Sequence, residues 1–132
     1  MILLDTHIWV WLVTESDDLS LSQRQSIEGQ VEGGLGVSVF SCWEVAKLVE
    51  REKLTFSLPI SEWIDRALSY PGVSLLDLTT AIAIESTQLP GTFHRDPADQ
   101  ILVATARVWQ IPIATRDAYI LQYPHVTHFR LS

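Results

Sequence analysis

Ile2-Leu3-Leu4-Asp5-Thr6-His7-Ile8-Trp9-Val10-Trp11-Leu12 opens the chain with an apolar strand, a carboxylate, and a helix too hydrophobic to face water on all sides. The same arrangement recurs downstream. Gly36-Val37-Ser38-Val39-Phe40 runs towards Glu44, and Ile111-Pro112-Ile113-Ala114-Thr115 runs into Arg116-Asp117. Asp96 and Asp99 stand at the start of another apolar helix. In an open α/β sheet, the residues just beyond the carboxyl ends of the strands line a common crevice. Carboxylates far apart in sequence would meet there, and like charges so gathered repel unless a cation or protons hold them together. A divalent-metal site is therefore the first functional expectation.

Outward from that stretch, the pattern predicts strands at 2–5, 36–40, 73–78 and 111–115, with a short fifth at 126–129 on an edge. Helices are expected at about 7–13, from a Ser20 cap to about 31, at 42–51, from Pro59 to about Ser69, at 80–88 and from Asp96 to about Trp109. Gly33-Gly34, Pro71-Gly72 and Leu89-Pro90-Gly91-Thr92 break the helices. Strands alternating with helices predict one α/β domain over 1–132, without internal repeats or low-complexity tracts. Trp9, Trp11, Trp43, Trp63 and Trp109 fall in amphipathic helices and are read as core or subunit-interface residues.

Charge and composition narrow the function. The 132 residues are 47% hydrophobic, which argues against wholesale disorder, and 16 acidic against 9 basic residues leave a formal charge of −7. A protein that bound nucleic acid by blanketing its phosphates would carry the opposite balance, so cations must be placed locally. Cys42 stands alone and forms no internal disulfide, in keeping with a reducing compartment. The first apolar segment is cut short by Asp5, so neither a secretory leader nor a membrane span is expected.

The acidic helix starts also admit a purely structural reading. Ser41-Cys42-Trp43-Glu44 has capping-box spacing, and Asp96-Pro97-Ala98-Asp99 places an N-cap, a proline at the first helical position and an acid at the third. Each motif alone reads more readily as a cap than as chemistry. Their combination favours chemistry: an acid at or beyond the end of each of three strands, and two more at a helix start.

At these positions the chain resembles the PIN-domain nucleases and, within them, the toxin component of VapBC-type toxin–antitoxin systems. Leu3-Leu4-Asp5-Thr6-His7-Ile8-Trp9-Val10-Trp11 is similar to the first acidic motif, Ser38-Val39-Phe40-Ser41-Cys42-Trp43-Glu44-Val45 to the second, and Asp96 to Ala106 to the third. Ile113-Ala114-Thr115-Arg116-Asp117 matches the segment of the fourth. The resemblance implies a PIN-like three-layer α/β/α domain with a mainly parallel sheet ordered 3-2-1-4-5. It makes Asp5, Glu44, Asp99 and Asp117 the catalytic carboxylates, with Asp96 an additional acid near the metal. Gln100 departs from the family pattern, in which a basic residue often follows the second Asp of the third motif.

The chemistry implied is hydrolysis of an RNA phosphodiester with Mg²⁺ or Mn²⁺, hard cations that suit carboxylate ligands. Thr6, His94, Arg95, Thr115, Arg116, Lys47 and Arg51 are candidate substrate-binding or supporting residues. The partners implied are an RNA substrate such as transfer or ribosomal RNA, a VapB-like antitoxin and a second copy of the chain, all in the cytoplasm. No direct DNA binding is expected without the antitoxin. A non-catalytic PIN-like interaction module is the alternative; a metal-dependent phosphatase is disfavoured because Asp5-Thr6-His7 lacks a second nearby carboxylate and no GxxxxGK loop is present.

Overall fold

The computed structural model describes residues 1–131. Strands β1 (Ile2–Leu4), β2 (Leu35–Ser38), β3 (Val73–Leu76) and β4 (Ile113–Ala114) form a parallel sheet in the order β3-β2-β1-β4. Parallel neighbours need long crossovers, and helices supply them. Helices α1 (Thr6–Val13) and α2 (Leu21–Glu28) lie between β1 and β2, and α3 (Val39–Glu50) and α4 (Ile60–Leu68) between β2 and β3. α5 (Thr80–Glu85) and α6 (Pro97–Trp109) lead from β3 to β4, and α7 (Ala118–Gln122) follows β4.

The result is a three-layer α/β/α fold, and the two-residue period of the strands builds it. Ile2 and Leu4 of β1 pack into one apolar cluster with Trp9, Ile27, Val45 and Trp63, whereas Leu3 between them packs with Leu102, Val103 and Ile120. All three strand residues are buried because both sheet faces are covered. At Gly72, φ is +82° and a Cβ would lie 2.7 Å from the Val31 carbonyl oxygen, so this turn into β3 requires glycine.

Several expectations are corrected. The fifth strand at 126–129 is reduced, among the described residues, to one isolated parallel bridge between Ile113 and His128, so the observed order is 3-2-1-4 rather than 3-2-1-4-5. The chain there is still tied to β4, through Ile113 N–H donating to Thr127 O and Phe129 N–H to Ile113 O, each 2.9 Å. The second strand ends at Ser38 and not at residue 40, because the Ser38 hydroxyl accepts the Phe40 N–H and starts α3 there. Ser41 consequently lies inside the helix, and the Ser41/Glu44 capping box does not form. Helix α7 was not expected at all. Of the tryptophans read as core or interface residues, Trp9 and Trp63 lie in the core, while Trp43 and Trp109 are about half exposed and so are not core residues.

Candidate metal centre

The carboxyl ends of β1, β2 and β4 converge on a cleft of about 460 Å³ lined by Asp5, Glu44, Asp96, Asp99 and Asp117, with His7, Ile8, Trp11 and Arg116 around them. All five acids singled out in the sequence thus share one wall-to-wall space. Asp5 follows β1 directly and caps α1, accepting the Thr6 N–H at 2.7 Å. Its other oxygen accepts the Thr115 hydroxyl at 2.6 Å, a bond across 110 residues from the end of β4. Burial raises the Asp5 pKa against the pull of these two donors.

Glu44 projects from the second turn of α3. Its Oε1 accepts the Thr6 hydroxyl at 2.6 Å, and that hydroxyl also contacts Ser41 Oγ at 2.8 Å. Ser41 and Thr6 are both buried, so the motif's serine supports Thr6 instead of capping a helix. Glu44 is likewise pushed above the ordinary carboxylate range, by burial first and then by Asp5 and Asp96, while Thr6 opposes the shift.

The α6 side differs. Asp96 caps the helix by accepting the Asp99 N–H at 3.1 Å, and Pro97 occupies the first helical position as read. Asp117 likewise caps α7, one oxygen accepting the N–H groups of Tyr119 and Ile120 at 2.9 and 3.2 Å. Both acids cap a helix through one oxygen, retain a second, and line the cleft. Asp99 projects into the cleft and its pKa is pushed up to about 7, by burial first and then by Asp117, Asp96, Asp5 and Glu44.

His94 completes this corner. Its Nε2 lies 2.8 Å from Asp99 Oδ2 yet is buried without a properly aligned hydrogen-bond partner among the described residues. One ligand atom each from His94, Asp99 and Asp117 falls within a mutual 4.8 Å, a spacing able to hold a divalent cation. An orphaned buried nitrogen beside a destabilised carboxylate is what a site shaped for a cation leaves when only protein atoms are counted. The residues present therefore fit a metal.

The remaining candidates divide. Thr6 and Thr115 hold carboxylates, and Thr115 Oγ1 also accepts the Asp117 N–H at 3.0 Å. Arg116 reaches the cleft wall, where its guanidinium sits 4.9 Å from the Trp11 ring centre and donates to the Asp18 carbonyl. Lys47 and Arg51 lie outside the cleft, in a shallow depression shared with Trp43, Glu44 and Leu48, and Lys47 pairs with Glu50 at 2.7 Å. Arg95, although next to His94, lines a separate depression with Thr92 and Gln100. The sequence assigned Trp11 to core or interface packing and His94 to substrate binding or support; the hydrophobic run around Trp11 concealed its cleft-facing side, and the loop before α6 has no periodicity from which to orient His94 towards Asp99.

Comparison with known proteins places these features among relatives. The PIN domain family profile matches residues 2–126. "Ribonuclease VapC22" of Mycobacterium tuberculosis (strain ATCC 25618 / H37Rv) is 31% identical over 124 residues, covering 94% of this chain and 92% of that protein. Among solved structures, VapBC2 from Rickettsia felis bound to a DNA fragment from their promoter superposes with a TM-score of 0.70 at 16% identity, covering 98% of each chain. A toxin–antitoxin complex from Klebsiella pneumoniae gives 0.63 at 21% identity over 96% of each chain. At such identities the two structures speak for the fold.

Proposed function

The chain belongs to the PIN-domain family, and on that premise we propose that it is a metal-dependent endoribonuclease, the toxin of a toxin–antitoxin pair. The observation that carries this reading is the cleft itself, where four carboxylates surround Asp99, which faces the unpartnered Nε2 of His94. Asp5, Asp99 and Asp117 would hold a divalent ion together with His94, and Asp96 and Glu44 add oxygen to its surroundings. That oxygen-rich set suits Mg²⁺ or Mn²⁺, the imidazole favouring Mn²⁺ of the two. The chemistry such an ion would supply there is polarisation of a scissile phosphate, a lowered pKa of nearby water and an offset to charge in the transition state.

The chain's own groups do the rest. Glu44, fixed by Thr6, is placed to orient the attacking water and accept its proton. The water oxygen bonds to phosphorus as the bond to the 3′ oxygen breaks, giving a 5′-phosphate and, after protonation, a 3′-hydroxyl. Thr115 keeps the Asp5 carboxylate aimed into the cleft. Arg116, held against Trp11, offers a cation to a cleft otherwise lined by acids, on a chain of net charge −7.

Transfer or ribosomal RNA in the cytoplasm is the proposed substrate, and a second copy of the chain the proposed partner in an RNA groove. A VapB-like antitoxin would quench the cleft by inserting basic side chains among its carboxylates. Purified, antitoxin-free protein incubated with total RNA tests the core of the proposal. Discrete cuts are expected with Mg²⁺ or Mn²⁺ and none with EDTA. Asp5→Asn should reduce turnover by more than the roughly 10–100-fold typical of losing an outer-shell support. It should still fold, because Asn caps a helix as well as Asp. Unchanged metal-dependent cutting by Asp5→Asn would refute the assignment.

A further inference from the structure

An aromatic row runs from the core to the surface beside Asp117, which lines the cleft. Tyr123, 2% exposed, packs on Phe93 with ring centres 4.8 Å apart. Phe93 meets His94 edge-on at 4.7 Å, and His94 stacks on Tyr119 at 4.2 Å with only 9° between the planes. The row ends there, since Tyr119 is 61% exposed and presents its outer side to solvent. Core packing does not require it: Ile120, fully buried on the same short helix, supplies the apolar anchor. The Tyr119 backbone is fixed at the site by its N–H bond to Asp117 Oδ1 at 2.9 Å. Trp11, which lines the cleft itself, has the Arg116 guanidinium 4.9 Å from its ring centre and His7 at 5.7 Å, so its ring already has neighbours.

We propose that Tyr119 is a base-stacking residue: a nucleobase adjoining the scissile phosphate continues the row on the outer face of the tyrosine ring. The inference rests on the ribonuclease reading and deepens it. A ring stacked on an imidazole that faces Asp99 holds a base at a set distance from the reacting phosphate, and every base has a π face that can use it. A base paired within a duplex has both faces covered, so this contact selects nucleotides that are unstacked at the cut.

The test uses the RNA segment bearing a cut mapped in the total-RNA digest, with 2-aminopurine beside that cut. Tyr119→Ala should raise KM about tenfold, leave kcat within a few-fold, and abolish the quench of 2-aminopurine on binding. Tyr119→Phe should match the wild type in all three. Calorimetry with Mn²⁺ alone should give equal affinity for all three proteins. An unchanged KM and quench in Tyr119→Ala would overturn the stacking role while leaving the nuclease reading intact. A fall in Mn²⁺ affinity and kcat at constant KM would overturn it in favour of Tyr119 as a prop for His94. A wild-type protein that cuts no RNA would overturn both.

Discussion

On the sheet side of the cleft, Asp5 and Glu44 are held by short bonds from Thr115, Thr6 and a backbone N–H. On the α6 side, Asp99 faces His94 without an aligned hydrogen bond, and its carboxyl is driven up to about 7. Burial raises the carboxyls of both halves, but the fold satisfies the hydrogen bonds of one, whereas Asp99 in the other meets its neighbouring acids without an aligned donor, a cost that a proton or a cation relieves. On the proposed reading the two halves would contribute to cation affinity in different ways: the Asp5 half would hold its carboxylates in place in advance, and the Asp99 half would gain because a cation bound there removes a cost already present in the folded protein.

The sharpest way to break that comparison is to loosen the half that the fold satisfies. Thr115→Val removes the donor to Asp5 Oδ2 and the acceptor of the Asp117 N–H together. If preorganisation resides there, Mn²⁺ affinity should fall about 10–100-fold, as for other lost outer-shell partners. Titration calorimetry reads this directly. Wild-type affinity in Thr115→Val would mean that the Asp5 side needs no support and that the two halves are alike.

A second, smaller effect concerns pH. The folded state keeps the Asp99 proton up to about 7, whereas an unfolded chain releases it near 3.9. Between these values the folded state binds more protons, so the stabilising contribution is full on the acid side and is lost as pH rises through about 7. Burial raises Asp5 and Glu44 in the same direction. Metal-free protein should therefore melt at a lower temperature at pH 8 than at pH 5, and Asp99→Asn should flatten the difference. Mn²⁺ should raise the midpoint more at pH 8, where it need not displace a proton. Equal slopes for wild type and Asp99→Asn in a melting series would remove Asp99 as the strained group.

The same division explains what the sequence disclosed. The apolar run Ile2-Leu3-Leu4 and the acids at or beyond the ends of three strands are local patterns, so an α/β sheet with acids at its crevice was legible, and the resemblance to the PIN domains implied the three layers. The bonds that make the site rigid are not local: Thr6 and Glu44 are 38 residues apart, Asp5 and Thr115 110 apart. Nothing in either neighbourhood announces its partner. The start of α3 was misplaced because Ser38 and Ser41 are both suitable caps, and the choice depends on Ser41 being drawn inward to Thr6. The five residues of α7 are too few to display a helical period. The place of His94 against Asp99 was not legible because it depends on how a loop returns to that acid.

Arg95 supplies the smallest expected effect and the finest test of where the strained half ends. It is one residue from His94, and proximity in sequence suggested a shared role. The chain direction sends the two apart: His94 turns in against Asp99, while Arg95 lies exposed in a depression with Thr92 and Gln100. Arg95→Ala should therefore leave Mn²⁺ affinity and kcat within about twofold, since surface changes away from buried networks are nearly neutral. Any loss should appear as weaker RNA binding of similar size across sequences, with a shallower salt dependence, the mark of a phosphate contact. A large fall in Mn²⁺ affinity would show instead that the loop's outer side holds His94 in place, and the strained half of the cleft would then extend through the loop to the surface.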